Sequence, residues 1–309
     1  MVRRERAVNK IRRTRADAAF DAVNIALLAI LTVILFYPLY FVLIASMSDP
    51  YAIAQGSVKL FPVRPTLEAY QNIMKDARIW LGYRNTIVYT VLGTLLSLAL
   101  TIPSAYVLSK KDLPGRAILM TFCLITMYFG GGLIPTYLIV KKVGLLNKAY
   151  TLIVLGSVSV YNIIVTRSFF QSTLPDSLFE SARIDGASEM RMFFSIALPL
   201  SGSIIAVMAL YYGVGRWNEF FNALIYVSNS DYQPLQLVLR SLLLQSQQAV
   251  MDAALTNDPE MLADAARLAY MAEAMKYAII FIAAAPLLIA YPFVQKHFVR
   301  GVMIGALKG

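Results

Sequence analysis

The chain has 309 residues, 58% of them hydrophobic and 15% charged, with a formal net charge of +10 and a mean hydropathy of +0.62. A water-facing domain carries about 25% charged residues, so a soluble globular protein is excluded and lipid must replace much of the solvent. The lone Cys123 and the lone His297 exclude an internal disulfide, most metal centres and any Cys-His or Ser-His-carboxylate apparatus, and with no GxxxxGK[ST] sequence there is no phosphate loop.

The first segment, 1–22, holds seven bases (Arg3, Arg4, Arg6, Lys10, Arg12, Arg13, Arg15) against Glu5, Asp17 and Asp21. The apolar run from Val23 to Ser46 follows it. A basic start before an apolar stretch resembles a signal peptide, but this run has about 24 residues and no small-residue cleavage site after it, so it reads as a retained first span. The segment Asp49 to Arg84 contains Pro62 and Pro65, and Thr66 stands as an N-cap before a short helix at Leu67, Glu68, Ala69 and Tyr70.

Further apolar runs are Asn85 to Ser109, Ala117 to Ile139, Tyr150 to Phe170, Ile196 to Val214 with a continuation to Val227, and Ala274 to Val294. A hydrocarbon core of about 30 Å needs roughly 20 helical residues, which each run supplies or approaches. The expectation is an all-α polytopic membrane protein with six transmembrane helices, a membrane domain over 23–294, and kinks at Pro103 and Pro286. The run from Ile196 to Val227 would extend about 48 Å as one helix, so it should break, tilt or leave the membrane, with Gly213 and Gly215 as the bending point.

Basic residues mostly flank the apolar runs, which reads as membrane topology and not as nucleic-acid binding. The amino-terminal segment, the turn with Lys110, Lys111, Asp112 and Arg116, and the tail 295–309 with Lys296, Arg300 and Lys308 are net basic. Glu219 to Lys276 has seven acids against three bases. Both termini are therefore expected in the cytoplasm and the segment 228–273 outside, in the inner (plasma) membrane. Lys141, Lys142 and Lys148 fall on the outer side against this rule, where long amines can snorkel. Leu235 to Leu244 and Met261 to Lys276 read as helices at the outer surface.

The loop 172–195 between the fourth and fifth runs carries the most information. Ser172 or Thr173 can cap a short helix whose first turn takes Pro175, and Asp176 complements the helix amino end. Glu180, Ile184 and Ala187 share a face, and Gly186 can end the element in a left-handed conformation. By periodicity this is either an ordinary amphipathic linker or a compact knob of two short helices.

The spacing Glu180-Ser181-Ala182, three residues, Gly186, nine residues, then Ile196, Leu198 and Pro199 resembles the signature loop of bacterial ATP-binding-cassette importer permeases. That pattern is Glu-Ala-Ala, three residues, Gly, nine residues, Ile-x-Leu-Pro, from which only Ser181 departs. Tyr37-Pro38, Arg84-Asn85-Thr86, Pro103-Ser104-Ala105-Tyr106, Trp217-Asn218-Glu219-Phe220 and Gln295 to Gly301 look like the carbohydrate-uptake permeases. Gly130 to Tyr137 resembles a narrower branch of lipoprotein-linked permeases associated with complex or acidic oligosaccharides.

The resemblance implies a type I importer permease fold in which Glu180, Ser181, Ala182, Arg183, Ile184 and Asp185 form a coupling helix and Gly186 its turn. It also implies a non-catalytic subunit that binds no cofactor itself. Its partners would be a second homologous permease, two ATPase subunits or domains that hold ATP and Mg, an extracytoplasmic solute-binding protein and a carbohydrate.

Polar groups inside apolar runs mark a possible path. Arg216, Trp217, Asn218 and Glu219 either contact sugar, with Arg216 suited to a uronate, or Arg216 and Glu219 only pair with each other or mark the outer interface. Tyr128 beside Gly130 to Gly132 fits close packing or a broken helix near a path, and Tyr161 and Asn162 are similar candidates. An importer for another solute, and a membrane enzyme acting on lipid or glycan, are the rival readings; the second lacks a convergent catalytic set.

Overall fold

The computed structural model describes residues 14–254, 264, 267 and 269–289, and every regular element among them is helical. Helix α1 (Arg15–Ser46) begins before the apolar run because Thr14 and Asp17 form a reciprocal capping box, Thr14 Oγ1 accepting from Asp17 N and the Asp17 carboxylate accepting from Thr14 N. Most of α1 stands away from the rest of the chain, with Leu35 73% exposed. A helix apolar all round and exposed over most of its length must be covered by lipid or by another chain.

Two short helices, α2 (Pro50–Ala54) and α3 (Glu68–Met74), occupy the segment before the next span. The N-cap of α3 is Leu67 and not Thr66; Thr66 Oγ1 accepts from Glu68 N at 3.2 Å from one position earlier. Ile53, Ile73 and Ile79 pack with Ile44, Trp217, Leu235 and Ala278 in the largest apolar cluster.

Helix α4 (Ala77–Ser109) is the central element, capped by Asp76, whose carboxylate accepts from Arg78 N. Gly93, Ser97, Thr101 and Ala105 recur every fourth residue and are all buried. Small residues at that spacing let neighbouring backbones approach closely, which is how membrane helices associate where lipid is as apolar as Leu. Thr101 and the Tyr212 hydroxyl share a hydrogen bond of 2.7 Å across this seam.

The third apolar run is two helices, α5 (Arg116–Tyr128) and α6 (Leu133–Lys142), set at 112°. Gly132 takes φ +83° at the break, a conformation a side chain would strain. The fourth run is also divided, into α7 (Thr151–Val154) and α8 (Val160–Thr173), with Gly156 at φ +70° and a Ser159 cap between them. Helix α8 has 14 residues, short of the roughly 20 that cross a core.

After the loop helices α9 (Asp176–Ile184) and α10 (Glu189–Met192), the chain passes through a π-helical turn at Phe193–Ala197 into α11 (Leu198–Leu200). Pro199 supplies no amide to that ladder, consistent with the widened turn before it. The bend of 78° to α12 (Gly202–Trp217) lies at Ser201. The long fifth run therefore does break, but not at Gly213 and Gly215, which lie inside unbroken α12; the second break is at Asn218–Phe220, before α13 (Phe221–Tyr226).

Helix α14 (Leu235–Ala254) contains the Leu-rich stretch, and α15 (Ala269–Ile289) carries the sixth run. Residues 269–276 of the expected Ala-rich surface helix continue directly into α15. The tail 295–309, including His297, and most of 1–22 lie outside the described residues. Three helices, α1, α4 and α15, are long and apolar enough to cross a membrane, and counting each bent pair as one span brings the number among the described residues to five.

Candidate functional site

The loop after α8 folds into a knob whose local sequence sets its shape. Ser172 and Thr173 finish α8 and cap nothing beyond it; Pro175, extended at φ −68° and ψ 140°, is the N-cap of α9, without a side-chain bond. At the other end Gly186 N donates to Arg183 O (3.0 Å) and Ala187 N to Ala182 O (2.9 Å). With Gly186 at φ +74°, this pair of bonds is a Schellman turn. Ser188 then caps α10 by accepting from Arg191 N.

The knob has two faces. Ala182 is buried, and Phe179 packs with Tyr106, Phe170, Phe193 and Ala197 in the cluster that roots the loop on α4 and α8. Outward, Glu180, Asp185 and Gly186 are exposed and Ile184 is 87% exposed. Ile184 thus gives the outer face of the knob a bare aliphatic tip. Ser181 Oγ donates to Ser177 O (3.0 Å), so the hydroxyl at the one departing position satisfies itself within the helix. Ile196 and Leu198 are half-buried and Pro199 is exposed at the bend that carries the knob into α12.

Ion pairs tie the knob to the turn after α4. Lys111 Nζ lies 2.7 Å from Asp176 Oδ2, and Arg183 Nη2 bridges Asp112 Oδ2 and Glu189 Oε1, each at 2.9 Å. Lys110 sits 3.7 Å from the Phe179 ring centroid. The hydrogen bond from Lys111 holds the Asp176 carboxyl below its ordinary value; its own backbone N–H and then Arg183 do the same for Asp112. Depressed carboxyl values mean the pairs contribute fully above the ordinary Asp range of about 3.9 and are lost as pH falls through the folded-state values.

These groups are solvent-exposed, so the pairs add little to stability and are screened by salt. Arg183→Gln is expected to loosen the knob, with the defect growing as ionic strength falls. Amide protection across 176–189, relative to the intrinsic exchange rate at each pH, should fall in that variant and, in the unsubstituted protein, on acidification below about pH 4. Unchanged protection in both cases would show that the apolar root alone holds the knob. The sequence showed Lys110, Lys111 and Asp112 only as a topology signal, because their partners lie on a different element.

The second group of candidates separates. Arg216 is 8% exposed, and its Nη1 donates to the carbonyls of Leu152 and Leu155, with Ser157 Oγ 3.4 Å from Nη2. It makes no ion pair with Glu219, whose carboxylate instead accepts from Asn222 N and Nδ2. Trp217 is buried with Nε1 donating to Ala283 O (2.9 Å). The expected pairing of Arg216 with Glu219 is thus corrected: the guanidinium satisfies carbonyls left by the break after α7. Asn162 is also buried, whereas Tyr128, Tyr161 and Asn218 are exposed.

A central helix packed by broken helices, with a knob tied to one end by ion pairs, is an all-helical, membrane-type architecture among the described residues. Residues 79–304 match the family model of the binding-protein-dependent transport system inner membrane component, and the chain belongs to that family. It is 39% identical to Protein LplC of Bacillus subtilis, over 98% of this chain and 99% of that protein. It is 35% identical to the polygalacturonan/rhamnogalacturonan transport system permease protein YtcP of the same organism, over 94% of this chain and 98% of that protein. Among solved structures it resembles a chain of a bacterial ABC transporter involved in the import of the acidic polysaccharide alginate, at a TM-score of 0.79 and 32% identity, covering 93% of this chain and 99% of that one.

Proposed function

We propose that the chain is a permease subunit of an ATP-driven importer that moves a carbohydrate, specifically an oligosaccharide, across the cell membrane. The observation that carries the reading is the knob: a turn-stabilised helix with a buried root and a bare Ile184 at its tip, at the end of the helices it would have to move. A rigid lever of this kind transmits motion from a separate subunit, where a flexible linker would absorb it. The sugar assignment is supported by the names of the relatives, which include a polygalacturonan/rhamnogalacturonan transport permease and an ABC transporter involved in alginate import.

In this reading the knob faces the cytoplasm with both termini, and it docks on one of two ATPase subunits or domains that hold ATP and Mg. A second, homologous permease completes the pathway, and a solute-binding protein delivers the sugar outside. The chain hydrolyses nothing itself. Tyr128, Tyr161, Asn162, Arg216, Trp217, Asn218 and Glu219 stay the candidates for the path, of which Tyr128, Tyr161 and Asn218 are exposed.

The test is ATP-dependent uptake in vesicles containing the co-expressed neighbouring subunits and their binding protein, offered neutral and acidic oligosaccharides. Uptake of at least one sugar is the expected result. An intact, ATP-hydrolysing complex that carries none of them would transfer the assignment to a different solute.

A further inference from the structure

Tyr83 Oη donates to Ile282 O, and the start of α14 packs on Gly82, where an added Cβ would meet Leu235 Cα at 3.1 Å. These contacts place α14 and α15 against the first turns of α4, at the end remote from the knob. A cleft of about 490 Å³ opens there, lined by Asn218 and Phe220 after α12, Gln236, Leu239 and Arg240 of α14, and the Ile279 to Leu287 stretch of α15. That volume lies within the roughly 300–1,000 Å³ of small-ligand clefts.

Arg240 is exposed, and its guanidinium carbon lies 5.3 Å from the Phe220 ring centroid. No hydrogen bond or ion pair joins it to any other described residue, in contrast to Arg216, whose donors are taken by the chain's own carbonyls. Asn218 spends its Nδ2 on Val214 O (3.0 Å), which leaves Oδ1 as an acceptor.

We propose that Arg240, steadied on the Phe220 ring, is the specificity-determining residue of a subsite for the carboxylate of an acidic sugar unit; this rests on the carbohydrate reading above. The parts divide the work by chemistry. A guanidinium offers paired N–H donors in the geometry a carboxylate accepts, and the aromatic face orients its plane. Asn218 and Gln236 offer amides to sugar hydroxyls, and Leu239 with the α15 side chains offers an apolar wall to the C–H face of the ring. An exposed guanidinium with its donors unspent can pair with a carboxylate, and a neutral sugar provides no such partner.

The experiment has two arms. In the first, binding of labelled trigalacturonate and of its fully methyl-esterified form is measured on the solubilised permease–ATPase complex without binding protein. The unsubstituted complex should favour the acid, and Arg240→Gln should cut its affinity about tenfold while leaving the ester unchanged. Arg240→Lys should recover part of the loss, and Phe220→Leu should reproduce part of it. Equal loss of both ligands in Arg240→Gln, no preference for the acid, or no binding of either would overturn the subsite. The second arm is vesicle uptake of the same two sugars and a neutral panel with the binding protein present. Uptake of any sugar despite a failed first arm would sink the subsite alone, whereas no uptake of any sugar would sink the carbohydrate reading with it.

Discussion

Replacing Gly186 with Val is expected to abolish coupled uptake while leaving membrane insertion and assembly intact. Gly186 sits at φ +74°, and a β-branched residue there strains the backbone by about 1–2 kcal/mol or more. The strain falls on the turn that fixes α9 against α10, where the two Schellman bonds are made. A Cβ at this position meets nothing within 4 Å of its own chain, so any clash comes from a docked partner. Gly186→Asn separates the two causes, because Asn enters the left-handed region at small cost but still adds bulk. Asn should retain most uptake if the turn geometry decides; loss in both variants would instead mean that the docking surface tolerates no side chain. Sugar-stimulated ATP hydrolysis and uptake at normal rates in a correctly inserted Gly186→Val complex would remove the case for a lever.

The second large effect is expected where Arg216 crosses Gly93. A Cβ on Gly93 would stand 3.0 Å from Arg216 Nε and 3.2 Å from Cζ, with backbone on one side and a buried guanidinium on the other. Gly93→Val should push the guanidinium off its carbonyl partners, and Arg216→Met should remove it. Each orphaned buried acceptor costs about 1–3 kcal/mol, so both variants should melt on the order of several degrees lower in a thermal-shift assay of the purified complex. The double variant should lose less than the sum, since both changes break the same contact. Full stability of Arg216→Met together with lost sugar binding would instead assign this residue to the substrate path.

Residue type and spacing determined the knob. Pro175 cannot continue a helix inward, Gly186 accepts a positive φ, and Phe179 and Ala182 fall on the inner face of a helix that carries Glu180 and Ile184 outside. Each choice is local, made within one turn of chain, so it is readable before any fold is known. The clamp was not readable, because Arg183 meets Asp112 across 71 positions of sequence. Nor was the cleft partner of Arg240, since Phe220 reaches it only after the chain breaks at the end of α12 and returns along α14.

The same division holds for the spans. Hydropathy and charge determined that the chain is helical and resides in a membrane, because apolar length and the lack of surface charge are properties of composition. Only the tertiary structure decided where the long runs break: at Gly132, Gly156 and Ser201, but not at Gly213 or Gly215. A glycine permits a break without requiring one. Gly213 and Gly215 stay within unbroken α12, while Arg216 satisfies the carbonyls left by the break after α7. The fate of a flexible position depends on which neighbour offers it a partner, and that neighbour is supplied only by the assembled fold.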